Sequence, residues 1–175
     1  MPNKHQKNQA PAASLLPWLV YEQSLTQKLE AITGDARLQV LNQDWELPDA
    51  WDQSILKLNN KQVLHRQIIM WAYDLPCWYA RTIIPDTTWQ SGTTLFERLK
   101  TESLGHLIFN GNEIQRVSLK HYLITPSSSE YHWLSESWHT GASELWVRLA
   151  EFVVYGKEPF FLIEILLPGL LRYLS

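Results

Sequence analysis

The chain has 175 residues, enough for one domain with a substantial buried core, and 45% of them are hydrophobic, which excludes a disordered chain outside its ends. A formal net charge of −3, with Lys and Arg scattered rather than clustered, gives no basic field. That argues against a nucleic-acid surface and leaves a small molecule as the default ligand.

Residues 1–13 are polar, with Pro and Ala, and lack the apolar core of a signal peptide, so they read as a flexible leader to a single domain over 14–175. Pro17 opens a short helix carrying Trp18, Leu19 and Tyr21. Ser24 is a candidate N-cap for a second helix over Leu25 to Ile32, which Gly34 closes. Arg37 to Trp45 alternates as a strand, and Pro48, Asp49 and Asn59-Asn60 then mark an irregular connection. Gln62 to Ala72 and Cys77 to Pro85 are β-rich runs around Tyr73-Asp74-Leu75-Pro76, the pattern of an antiparallel hairpin. Cys77, the one cysteine, forms no internal disulfide and reads as a core residue of a reducing, cytoplasmic compartment.

Thr93 to Thr101 predicts a short helix and Ile114 to Ile124 a further strand. From Thr125-Pro126-Ser127-Ser128-Ser129 to about Gly141 the chain is polar and Ser-rich, and a mobile surface loop is expected there, within 125–143. Leu145 to Val154 and Phe160 to Pro168 form a second hairpin, apolar on both faces and therefore central in the sheet. No apolar stretch approaches the roughly 18 residues of a membrane span, and Pro168 and Gly169 break the apolar C-terminus, so no stable membrane insertion is expected. Helices bunched early and mid-chain, instead of alternating with strands, favour an α+β fold with a mainly antiparallel sheet.

Two charges interrupt the most apolar strands. Glu164 is the lone charge in Phe160 to Pro168, and Arg66 shares a strand face with Leu64, Ile68 and Met70. A buried charge needs a partner. The two are either an ion pair that fixes strand register or the poles of a small dry ligand site, and spacing alone does not separate these readings.

Trp18 to Thr26, Arg66-Gln67-Ile68-Ile69, Arg81 to Pro85, Leu104 to Phe109, Trp146-Val147-Arg148 and Glu164 to Pro168 together resemble the chorismate pyruvate-lyase family in order and spacing, over nearly the whole chain. The resemblance implies a single domain with a six-stranded antiparallel sheet and flanking helices. It also implies cofactor-independent elimination of pyruvate from chorismate to give 4-hydroxybenzoate, the entry step of ubiquinone biosynthesis, by a cytoplasmic monomer. By position, the arginine that binds the ring carboxylate falls on Arg66 and the glutamate that contacts the hydroxyl on Glu164, the two catalytic residues. Leu25 and Leu104 match residues that contact the ligand through their backbone, and Arg81 and Arg148 match arginines that line or support the cavity. Leu149-Ala150 stand where the family usually carries an Arg-Ser pair, so one cation is missing at that point.

These residue types suit the reaction. Arg66 offers a bidentate clamp for a carboxylate. Glu164 orients the ring hydroxyl, and the sequence does not decide whether it also handles a proton. A metal reading of His132 and His139 with Glu130 and Glu136 fits no standard ligand spacing, and these are expected to be solvated surface groups. Ser103-Leu104-Gly105-His106 lacks a nucleophile elbow, which argues against a hydrolase. His65 reads as structural, and Trp71, Trp78 and Trp146 as core. The alternative from another class is a non-catalytic sensor or carrier of small aromatic acids, since effector domains of certain transcription regulators resemble this fold. The leader before Trp18 is too short for a helix-turn-helix, which favours the enzyme.

Overall fold

A computed structural model describes residues 11–174, so the leader expected over 1–13 lies, but for its last three residues, outside the described residues. The helices are α1 (Leu16–Leu19), α2 (Leu25–Thr33), α3 (Ala50–Ile55), α4 (Asp86–Ser91), α5 (Thr93–Glu97), α6 (Leu104–Phe109), α7 (Glu136–His139) and α8 (Pro168–Leu171). The strands are β1 (Arg37–Glu46), β2 (Val63–Ala72), β3 (Leu75–Pro85), β4 (Ile114–Ile124), β5 (Leu145–Val154) and β6 (Glu158–Leu166). They form one antiparallel six-stranded sheet in the order β1-β2-β3-β6-β5-β4. This is the expected α+β architecture, with helices flanking the sheet.

The order explains the apolar runs. β2, β3, β6 and β5 are interior strands buried on both faces, whereas the edge strands β1 and β4 keep exposed positions. Both expected hairpins form. The β2–β3 turn is tighter than expected, because Leu75 and Pro76 belong to β3 and only Tyr73-Asp74 turn the chain, with Tyr73 at φ +54°. A bulky residue persists in that conformation only when its surroundings hold it. Here Asp35 accepts from the Tyr73 N–H, Arg37 donates to its carbonyl, and its hydroxyl donates to the Thr33 carbonyl.

Helices α3, α4, α6, α7 and α8 go beyond the expected elements. The connection after β1 contains α3, started by a capping box in which Asp49 and Asp52 accept each other's backbone N–H. The Ser-rich segment is not a mobile loop but a 3₁₀ turn (Ser129–Trp133) followed by α7, seated on the sheet by buried Tyr131 and Leu134 and by Trp133 and Trp138. Most residues there are polar, yet the aromatic ones between them supply the anchoring area.

The sheet therefore has two covered faces. Odd residues of β2, β3, β5 and β6, such as Ile69, Tyr79, Val147 and Ile163, pack under α3 and the Ser129–His139 segment. Even residues face α1, α2, α5 and α6, where Trp18, Leu29, Phe96 and Leu104 close over the sheet. Cys77 is wholly buried, and burial pushes its thiol up to about 11, so it is unreactive.

His65, on the first of these faces, lies with both ring nitrogens 2.8 Å from carboxylates, Nδ1 from Glu46 and Nε2 from Asp52. Burial by itself lowers its pKa, and Arg81 opposes its charge, but the Asp52 and Glu46 contacts outweigh both and raise it above the ordinary value. A raised folded-state pKa adds stability fully present below the unfolded value, near 6.5, and lost as pH climbs through the folded value. In urea titrations, His65→Gln is expected to lose about 1–3 kcal/mol at pH 5.5 and distinctly less at pH 9. A deficit that is constant or grows with pH contradicts a charged His65.

Candidate active site

On the even face the sheet and its covering helices leave a cavity lined by Arg66, Ile68 and Met70 of β2, Trp78, Ala80 and Thr82 of β3, Leu162 and Glu164 of β6, and Arg148 and Phe152 of β5. The empty space between the lining side chains, open mouth included, is about 650 Å³. The buried residues make its floor. Exposed Gln23, Leu38, Ser103 and Phe109 mark its mouth.

The sheet register sets the charges. Arg148 on β5 stands directly opposite Glu164 on β6, and its Nε lies 2.9 Å from Glu164 Oε1. The Arg148 N–H groups are otherwise spent on the covering segment, donating to the carbonyls of Trp18 and Tyr21. The Nε–H is not directed along the ion-pair contact, so Glu164 is neutralised by Arg148 without receiving a hydrogen bond from it. Among the described residues none reaches this carboxylate, although it is 7% exposed.

Arg66 is in the opposite condition. It is 5% exposed, opposite Thr82 on β3, and no acid or acceptor among the described residues meets its guanidinium, whose Nε is fully buried. Burial draws its pKa below the ordinary value, but an arginine keeps its charge. Such a cation, held in a cavity with a carboxylate that still has lone pairs to offer, is arranged to bind an anion carrying a hydroxyl.

Leu25 and Leu104 open α2 and α6, N-capped by Ser24 and Ser103, whose side chains accept from Gln27 and His106. First-turn N–H groups have no acceptor within the helix, so the amides of Leu25 and Leu104 are left to the cavity that both residues line. The two starts lie side by side, since a Cβ on Gly105 would come 3.8 Å from Ser24 Oγ.

Five of the six residues singled out from the sequence thus line one cavity: Leu25, Arg66, Leu104, Arg148 and Glu164. Arg81 does not. Its odd position turns it to the far face, where it stacks on Trp133 with 3.8 Å from Cζ to the ring centroid, donates to Tyr79 Oη and pairs loosely with Asp49. Glu130 and His139 also depart from the expectation of solvated groups. Both are buried: Glu130 accepts from Trp51 and Tyr122, and His139 takes part in a hydrogen bond with Tyr131. His132 and Glu136 are exposed as expected. Asp49, Asp52 and His65 bring ligand-type atoms within 4.8 Å of one another, but the helix cap and the His65 contacts already use them. Of the tryptophans assigned to the core, Trp78 also lines the cavity, while Trp71 and Trp146 sit half-buried at the core's margins. Sequence reasoning missed Arg116, which reaches the cavity from edge strand β4. Its signal was weak, because β4 alternates and a charged residue there reads as solvent-facing.

A family model described as chorismate lyase matches residues 3–172. The chain belongs to the chorismate lyase family. Among its relatives are the probable chorismate pyruvate-lyase of Pseudoalteromonas atlantica, 30% identical over 90% of this chain and 81% of the relative, and the chorismate pyruvate-lyase of Cronobacter sakazakii, 26% identical over 90% and 82%. Membership makes it a lyase. Among solved structures it is similar to the effector domain of PhnF from Mycobacterium smegmatis, with TM-score 0.55 and 11% identity over 83% of this chain and 89% of that one. A GntR-family transcriptional regulator of Enterococcus faecalis has TM-score 0.52 and 14% identity, over 75% of this chain and 94% of that one. At such identities the likeness is one of fold. No helix among the described residues is long and apolar enough to cross a membrane.

The two buried arginines of the cavity, Arg66 and Arg148, should respond differently to removal. Arg148→Met strands the Glu164 charge and two carbonyls, and a loss of about 3–5 kcal/mol is expected. Arg66→Met deletes a cation that has no partner to lose, and chemical denaturation is expected to find stability unchanged or raised. Equal losses in both variants contradict the unpaired state of Arg66.

Proposed function

We propose that this chain converts chorismate to 4-hydroxybenzoate and pyruvate without a cofactor, with Arg66 and Glu164 as the residues that grip the ring. The observation that supports it most is the pairing pattern in one largely apolar cavity: a buried guanidinium that no acid meets among the described residues, and a buried carboxylate neutralised by Arg148 that keeps lone pairs for a ligand.

Arg66 clamps the ring carboxylate with two parallel charge-assisted hydrogen bonds, which fixes the ring plane. At the far end of the ring Glu164 accepts from the hydroxyl, with Arg148 holding the carboxylate in place through its own anchors on the Trp18 and Tyr21 carbonyls. The Leu25 and Leu104 amides supply further donors. Elimination breaks the C–O bond between ring and enolpyruvyl arm, the hydrogen on the hydroxyl-bearing carbon departs, and the methylene of the arm gains a hydrogen. Atoms balance, no electron acceptor is needed, and aromatisation makes the step downhill. The protein's contribution is to exclude water and to hold the arm against that hydrogen. Glu164 acts as an orienting acceptor in this reading, and formation of 4-hydroxybenzoate places the chain at the entry to ubiquinone synthesis, as a cytoplasmic monomer.

Mixing the purified protein with chorismate is expected to yield 4-hydroxybenzoate by its absorbance and an equal amount of pyruvate by a coupled dehydrogenase; absence of both products ends the proposal. Arg66→Met is expected to lower kcat/KM by about 10²- to 10³-fold through loss of the clamp. Glu164→Gln, which keeps an acceptor, is expected to cost about tenfold. If Glu164→Gln loses as much turnover as Arg66→Met, Glu164 does more than orient.

A further inference from the structure

Resting on the lyase reading above, we propose that Arg116 binds the second carboxylate of the substrate, the one on the enolpyruvyl arm. Every charged residue lining the cavity is one of Arg66, Arg116, Arg148 and Glu164, so three cations less one anion leave +2. A ring acid with one carboxylate needs half of that; chorismate, a dianion, needs all of it. Arg148 is consumed by Glu164 and by two backbone carbonyls, which leaves Arg66 and Arg116 as the two cations free for ligand carboxylates.

Arg116 is built for such a role. It lies on β4 opposite Phe152 of β5, with its Cζ 5.5 Å from the centroid of that cavity-lining ring. Its Nε is fully buried and has no partner among the described residues. The nearby charges are Arg148, Glu164 and Glu22, the last of which lines, with Arg116, Gln23 and Phe109, a depression outside the cavity. The guanidinium therefore stands in the wall between chamber and surface.

The layout across the sheet matches the ligand's layout. Arg66, Glu164 and Arg116 occupy the second, fourth and sixth strands of the sheet order. The arm is attached to the carbon beside the hydroxyl-bearing one, so it branches from the ring near the Glu164 end, off the axis from ring carboxylate to hydroxyl. With the ring carboxylate on Arg66 and the hydroxyl on Glu164, a ring turned with that edge toward β4 directs the arm carboxylate to Arg116.

The test separates the two carboxylates. In Arg116→Met, kcat/KM for chorismate is expected to fall about 10²-fold, while the dissociation constant for 4-hydroxybenzoate, which has only the ring carboxylate, changes less than about threefold. Arg116→Lys, which keeps the charge, is expected to recover part of the loss. Retained product binding shows that the variant is folded. As a second measurement, 3-(carboxymethoxy)-4-hydroxybenzoate is expected to compete with chorismate at least about tenfold better than its arm carboxamide in the wild type and in Arg116→Lys. Equal competition by the two compounds overturns the inference, as does unchanged kcat/KM in Arg116→Met or a parallel loss of 4-hydroxybenzoate binding. A wild type inactive toward chorismate fails the lyase reading instead, and an active wild type matched by Arg116→Met fails only this one.

Discussion

The cross-strand contact between Arg148 and Glu164 is the constraint around which this molecule is arranged. It neutralises the one carboxylate that lines the cavity among the described residues, and it ties that face to the covering segment through the Trp18 and Tyr21 carbonyls. Because Arg148 takes the carboxylate, Arg66 cannot have it. A buried guanidinium two strands away is left facing space, and the cavity acquires a surplus of positive charge. Burial without a partner is costly, so a site of this kind persists where ligand binding offsets the cost.

The far face of the same sheet shows the structural use of the same residue types. His65 sits between two carboxylates, and Arg81 meets Tyr79, Asp49 and the face of Trp133. These groups hold α3 and the Ser129–His139 segment on the sheet and leave no room for a ligand between them. Comparing the two faces separates an arginine that stabilises from one that binds: Arg81 has its contacts within the protein, whereas Arg66 has none. Both are deeply buried on adjacent strands.

This contrast also defines what was legible in the sequence. Strand parity placed Arg66 and Glu164 among hydrophobes but left an ion pair and a ligand site equally open; the register of the two hairpins is what sets both charges apart in one chamber. The same parity puts Arg81 on the opposite side from Arg66, since Arg81 pairs with Gln67; resemblance alone grouped it with the cavity. Arg116 was hidden because an edge strand alternates polar and apolar whether its polar side meets water or a chamber. The helix α3 was hidden by its short length and by an N3 position held by Asp52, not by the usual Glu or Gln. The Ser129–His139 segment was misjudged because serine content outweighed four spaced aromatics, Tyr131, Trp133, Trp138 and the His139 ring, that supply its packing.

The likeness to transcriptional effector domains, at 10–14% identity, is one of fold. In this chain the sheet and the helices over its even face enclose the cavity. What such a chamber accepts is decided by a few charges on alternate strands. In this chain the even face presents a free arginine, a neutralised carboxylate still able to accept a hydrogen bond, and a second free arginine, in that order across the sheet. A ligand with one acidic group leaves one of those cations uncompensated in an apolar chamber, and a ligand with none leaves both, so the charge of the lining favours an acid with two carboxylates over one with a single carboxylate. The fold supplies the enclosure, and the register of four strands supplies the selectivity.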